Sequence, residues 1–91
     1  MKPKILICDE IDDESVKELK KFADVEIGKE NLNTEKIKIY DVIIVRSATK
    51  ITKEIIEKAE NLKIIARAGV GLDNIDVKFA QEKNIKVINA P

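Results

Sequence analysis

Two arginines stand out in this chain. Of its seventeen basic residues fifteen are lysine, and each arginine follows an apolar run, Arg46 after DVIIV and Arg67 after KIIA. Ser47 and Thr49 come just after the first, and Gly69, Val70 and Gly71 just after the second. Arginine presents a planar fork of donors that matches a carboxylate or phosphate two bonds at a time. Hydroxyls add donors, and amides beside glycine approach an anion closely because no β-carbon intervenes. The chemistry these residue types imply is oxyanion binding. The opposing reading makes each arginine a structural cation, bridged to Asp9, Glu10 or Asp73.

Such a site requires that both arginines leave the same end of one sheet. The chain alternates strand-like and helix-like segments throughout. KILIC (4–8) is a short apolar strand. A helix is predicted over 13–23, with Asp12 as its cap, Ile11 and Val16 as a staple, acids in the first turn and Lys20 and Lys21 in the last. DVEIG (24–28) is a brief strand closed by Gly28, and a weaker helical signal runs over 34–39. DVIIV (41–45) is apolar on both faces, as a central strand should be. Thr52 caps a helix over 53–60, with Ile51 and Ile56 as staple and Glu54 four residues before Lys58. KIIA (63–66) is the fourth strand, Asn74 or Asp76 opens a helix ending near Lys83 or Asn84, and KVINA (86–90) is the fifth strand.

This alternation predicts an α/β fold: a flavodoxin-like three-layer sandwich with a five-stranded parallel sheet in the order 2-1-3-4-5 and about four helices. Ligands of such sheets bind beyond the carboxyl ends of the strands. Those ends are Asp9–Glu10, Arg46–Thr49, Arg67–Gly71 and Asn89–Pro91, with both arginines on adjacent strands. The sequence stops directly after the fifth strand. Residues 1–91 are therefore expected to be a single, truncated domain of something larger.

Other chemistries are poorly supplied. The net formal charge is zero and hydrophobic residues make up 44%, which describes a globular domain with no field favouring nucleic acid or an anionic membrane. The longest apolar runs have four residues, too short for a membrane span, and the start is too short and too soon acidic for a signal peptide, so a cytoplasmic location is expected. Cys8 stands alone in an apolar stretch and is expected to be buried. The chain has no histidine, no metal-ligand cluster and no base near the hydroxyls, so no catalytic residue is assigned. LICDE resembles the acidic pair of a phospho-receiver, but Arg46 stands where the acceptor aspartate would be. GVGLDN follows a strand as a dinucleotide loop does, yet Asn74 replaces its third glycine and no acid ends the next strand. The bias toward Ile, Lys and Glu points to a thermophilic source.

The stretches VRSATKIT, RAGVGLDNID and the terminal VINAP closely resemble the D-isomer-specific 2-hydroxyacid dehydrogenases, the phosphoglycerate dehydrogenases of serine biosynthesis above all, with the likeness spanning residues 4–91. The resemblance implies a flavodoxin-like substrate domain into which a Rossmann NAD domain is inserted. This sequence would be the N-terminal part of the former, with the NAD domain and the family's catalytic arginine, glutamate and histidine absent. By the same resemblance, Arg46 and Ser47 contact the substrate's acidic group, and Arg67 lies in the same cleft. The amides of Gly69, Val70 and Gly71 hold the carboxylate, with Val70 near the nicotinamide in the full-length enzyme only. The chain alone is expected to be inactive, to need no cofactor or metal, and to bind a small anionic substrate weakly. Apolar surface left open by truncation is expected to favour a homo-oligomer. A second reading makes the chain an autonomous folding or self-association module that binds nothing.

Overall fold

Five strands pair side by side in the computed structural model, which describes residues 2–90. They are β1 (Lys4–Ile7), β2 (Asp24–Ile27), β3 (Val42–Val45), β4 (Ile64–Ala68) and β5 (Lys86–Ala90), all parallel, in the order β2-β1-β3-β4-β5. Three α-helices connect them: α1 (Asp13–Lys20), α2 (Lys53–Lys58) and α3 (Val77–Glu82). Their starts follow from side-chain chemistry. The Asp12 carboxylate accepts from the Ser15 amide at 3.0 Å, Thr52 Oγ1 from the Ile55 amide at 3.4 Å, and Asp76 Oδ1 from the Phe79 amide at 3.1 Å. Each cap satisfies an amide that the helix cannot, a contribution of about 1 kcal/mol. Of the two candidate openers of the last helix, Asn74 and Asp76, it is Asp76 that caps it.

Alternation along the strands sorts the core into two layers. Leu6, Ile43, Val45 and Ile65 pack with Leu32, Ile37, Tyr40, Ile56 and Ala80 on one face, under α2 and α3. Ile5, Ile7 and Ala23 pack with Val16, Leu19 and Ile44 on the other, under α1. The three-layer sandwich is thus as the sequence predicts, with β3 contributing to both layers and β2 at an edge. Cys8 is buried, and burial, with Asp9 and Glu30 nearby, pushes its thiol up to about 12. Beside α1 the sheet is left partly open. A groove of about 410 Å³ there is lined by Ile11, Leu19, Ile44, Ala66 and Ala68, and Ile88 on β5 is 41% exposed.

One predicted element differs. The 34–39 segment is not an α-helix but part of a pair of 3-10 turns, Lys29–Asn33 and Glu35–Lys38, so the fold has three α-helices and not four. The Ile37 amide donates to the Thr34 carbonyl at 3.1 Å and that of Ile39 to Lys36 at 3.0 Å, both i to i−3 bonds. The 3-10 turns wind the chain tightly between β2 and β3, which places Leu32, Ile37 and Tyr40 in the core. Tyr40 is buried to its ring while its hydroxyl donates to Glu26 Oε2 at 2.5 Å, tying this connection to the edge strand.

Candidate anion-binding site

The loop after β3 carries Arg46, Ser47, Ala48 and Thr49. It is held by Asp9, the second residue beyond β1. Asp9 Oδ2 accepts from the Arg46 amide at 2.8 Å and the Thr49 amide at 3.1 Å, and Oδ1 accepts from Thr49 Oγ1 at 2.6 Å. Partial burial alone would raise the Asp9 pKa. The Thr49 hydroxyl and the two amides, helped by Lys29, outweigh it and hold the carboxyl below its usual range. Thr49 is therefore not the ligand donor that its position predicts: it is 6% exposed, and its hydroxyl is turned inward to Asp9. Ser47 is exposed, and among the described residues its hydroxyl has no partner. Arg46 is exposed too, its Nη1 donating to the Glu10 carbonyl at a long 3.4 Å.

Arg67 does not follow its strand but belongs to it. β4 runs two residues beyond the predicted KIIA, and Arg67 pairs with Val45 on one side and Asn89 on the other. Its guanidinium lies against the Gly69–Gly71 loop. A β-carbon added at Gly71 would stand 2.7 Å from Arg67 Nη1, and one at Gly69 3.8 Å from its Cζ. Nε is buried without a hydrogen-bond partner. Among the described residues neither arginine has a carboxylate within 4.0 Å, and the six ion pairs there all use lysine. The structural-bridge reading of the arginines therefore fails. Asp9, its first candidate partner, is engaged by backbone amides.

The glycine loop is braced from β5. Asn89 Nδ2 donates to the Val70 carbonyl at 3.2 Å and reaches the Gly69 carbonyl at 3.4 Å. All peptide bonds described are trans, so each amide points opposite the carbonyl that shares its plane. With both carbonyls drawn to Asn89, the amides of Val70 and Gly71 face away from it. Among the described residues neither has an acceptor. Gly69 adopts φ 148°, a conformation that side chains resist, and Val70 is 81% exposed.

Asn74 joins the two loops. Its Nδ2 donates to the carbonyls of Arg46 and Thr49, both at 2.6 Å, while the Ile51 amide donates to the Asn74 carbonyl at 2.8 Å. The carboxyl edge of the adjacent strands β3 and β4 thus carries Arg46, Ser47, Arg67 and the 69–71 loop. The two guanidinium groups rest on separate supports, Arg46 on the β1–α1 loop and Arg67 on the glycine loop. Asp9, Asn74 and Asn89 are the residues that sequence reasoning left without a role here. For Asp9 and Asn89 the only signal is an acid or amide at a strand end, and Asn74, in the β4–α3 connection, has not even that.

The residues present do not make a dinucleotide cradle. α3 begins only at Val77, six residues past Gly71, and its N-terminus is already occupied by the Asp76 carboxylate. Among the described residues no group of three or more histidine, cysteine or acidic side chains is placed to hold a metal ion, and no helix is long and apolar enough to cross a membrane.

Residues 5–91 match the family described as D-isomer specific 2-hydroxyacid dehydrogenase, catalytic domain. The chain is 53% identical to a D-3-phosphoglycerate dehydrogenase of Methanocaldococcus jannaschii, over 97% of this chain and 17% of that protein. It is 49% identical to a hydroxypyruvate reductase of Thermotoga maritima, over 97% of this chain and 30% of that one. Among solved structures, a Pyrococcus horikoshii protein superposes with a TM-score of 0.91 at 41% identity, over 99% of this chain and 28% of its own. The NAD+-bound 3-phosphoglycerate dehydrogenase of Entamoeba histolytica does so with 0.85 at 37% identity, over 100% and 33%. The chain spans a third or less of the length of each of these relatives. With the parallel sheet, its strand order and the arginine and glycine loops all in place, the chain belongs to the D-isomer-specific 2-hydroxyacid dehydrogenase family.

Proposed function

We propose that this chain is the substrate-binding part of an NAD-dependent D-3-phosphoglycerate dehydrogenase, and that it takes the carboxylate and phosphate of a small 2-hydroxy acid at the C-terminal edge of the sheet. The observation that carries this reading is the pair of amides at Val70 and Gly71, unpartnered among the described residues, beside an Arg67 guanidinium with no carboxylate among them. A half-buried guanidinium whose Nε is enclosed without a partner, beside free amide donors, is completed by an anion. Arg46 and Ser47, exposed one strand away, suit the substrate's other acidic group, and the exposed Val70 suits a face turned toward the nicotinamide in a full-length enzyme. The chain has no histidine and no dinucleotide cradle, so by itself it binds and does not transfer hydride. NADH oxidation with a 2-keto acid by the purified chain would overturn that assignment.

Amide NMR of the labelled protein tests the binding. Titration with 3-phosphoglycerate should give saturable shifts confined to Arg46–Thr49 and Arg67–Gly71, weaker with sulfate. Dispersed peaks that do not move would favour a second reading, an autonomous module that self-associates. The open groove beside α1 supports that alternative, because a parallel sheet is normally covered on both faces. Sedimentation of a clean monomer at high concentration would count against it.

A further inference from the structure

We propose that Asp9 and Asn74 are positioning residues of the anion site, a clamp that fixes both ends of the Arg46–Thr49 loop so that Arg46 and Ser47 are displayed in one conformation. This rests on the anion-binding role proposed above and adds to it the two residues on which the loop depends.

The division of labour is complete. At both ends of the loop, Arg46 and Thr49, the amide donates to Asp9 and the carbonyl accepts from Asn74. Four backbone groups that no strand ladder satisfies are thus taken by two side chains arriving from opposite sides. Asp9 comes from the end of β1 and Asn74 from the β4–α3 connection. Ser47 and Ala48, between the pinned ends, stay exposed. The residue types follow from the groups they meet. Asp9 faces three donors, and a carboxylate is an acceptor only; Asn74 faces two acceptors, and only its NH₂ can serve both. Turning the Asn74 amide over would set Oδ1 against two carbonyl oxygens, which fixes its orientation although Oδ1 itself is buried without a partner.

Charge makes the proposal decidable. Asp9 places a negative carboxylate on the very loop that would receive an anion, so by Coulomb's law alone its removal should tighten binding. Loss of the clamp should weaken it, because an unpinned loop must be ordered when the ligand arrives. Asp9→Ala and Asp9→Asn both remove the charge, but only asparagine keeps the shape. Its Oδ1 can accept both amides while its NH₂ donates to Thr49 Oγ1.

The experiment is the 3-phosphoglycerate titration by amide NMR on the wild-type chain and on Asp9→Ala, Asp9→Asn, Asn74→Ala, Thr49→Val and Arg46→Gln. Asp9→Ala and Asn74→Ala should weaken binding by about tenfold or more, while Asp9→Asn should match or exceed the wild-type protein. Asp9→Ala binding as tightly as wild type, or Asp9→Ala and Asp9→Asn both binding more tightly, would overturn the clamp. Thr49→Val removes one of the five bonds and stands in for Asp9→Ala if that variant does not fold; its expected loss is smaller, and undiminished affinity counts against the clamp. Failure of the underlying reading has a separate signature, since wild type would then show no saturable shifts or Arg46→Gln would bind as well as wild type. Amide exchange decides the clamp in that case: protection at Arg46 and Thr49 should be lost in Asp9→Ala and kept in Asp9→Asn, and unchanged protection in Asp9→Ala refutes it.

Discussion

Gly71→Ala separates the seat of Arg67 from the stability of the fold. The added β-carbon would stand 2.7 Å from Arg67 Nη1, about 0.7 Å inside ordinary contact. The backbone at Gly71 does not resist alanine, since positive φ among the glycines is confined to Gly28 and Gly69. Relief must therefore come from the guanidinium. Arg67 Nε is already enclosed. The terminal fork is what can turn, and turning displaces it from its seat against the glycine loop. Losing one charge-assisted bond to a bound anion costs about 1.5–3 kcal/mol. That corresponds to a roughly 10- to 150-fold weaker Kd. Stability should stay level or rise by about 0.4–1 kcal/mol, because alanine narrows the unfolded ensemble. Gly69→Ala is the counterpart. There the nearest atom is 3.8 Å away, but φ is 148°, so about 1–3 kcal/mol of backbone strain should appear in urea unfolding. Titration of both labelled variants with 3-phosphoglycerate, alongside urea melts, reads the two effects independently. Gly71→Ala with wild-type affinity, or with the stability loss expected of Gly69→Ala, would refute the seating of Arg67 on this loop.

Tyr40→Phe removes the hydroxyl that donates to Glu26. Because Glu26 is partly open to solvent, the loss should be nearer 1 than 3 kcal/mol, and an unchanged urea midpoint would show the bond to be idle. The carboxyls of Asp9, Glu26 and Asp41 are all held low. For Glu26 the Tyr40 hydroxyl and Lys36 are responsible; for Asp41, Lys63 and the Lys4 amide; for Asp9, its three donors acting against desolvation. Groups lowered in the folded state stabilise it fully above the ordinary carboxylate pKa of about 4 and lose that contribution as pH falls through their depressed values. The urea midpoint should accordingly be flat near neutrality and drop below about pH 4, less steeply in Asp9→Ala; a midpoint that rises on acidification contradicts this sign. Cys8, with its thiol pushed to about 12, should resist a thiol reagent at pH 8 until urea is added, and fast labelling of the native protein would contradict its burial.

What the sequence makes legible is whatever acts over a few residues. Asp12, Thr52 and Asp76 sit within three residues of the amides they cap, and the apolar face of each strand repeats every second residue, so the helix starts and both core layers follow from local pattern. The segment around Ile37 misleads for the same reason. Its apolar spacing suits a helix, but whether an α-helix or a 3-10 turn forms depends on how little chain remains before β3. The end of β4 misleads as well, since KIIA and KIIARA differ only in whether the neighbouring strands pair with Arg67 and Ala68. At the site, residue type reveals the arginines and glycines because few other groups bind oxyanions so well. It does not reveal what holds them. Asp9 reaches Arg46 and Thr49 across 37 and 40 residues of chain, and Asn74 reaches them from 28 and 25 residues away. Nothing in the neighbourhood of an isolated Asp or Asn marks such a contact; only the strand order β1-β3-β4 brings these ends together. The topology itself is predicted, and so the polar clamps become legible in turn. Once the order is known, an acid or amide at the end of one strand should be tested first against the free amides and carbonyls of the loop that leaves the next.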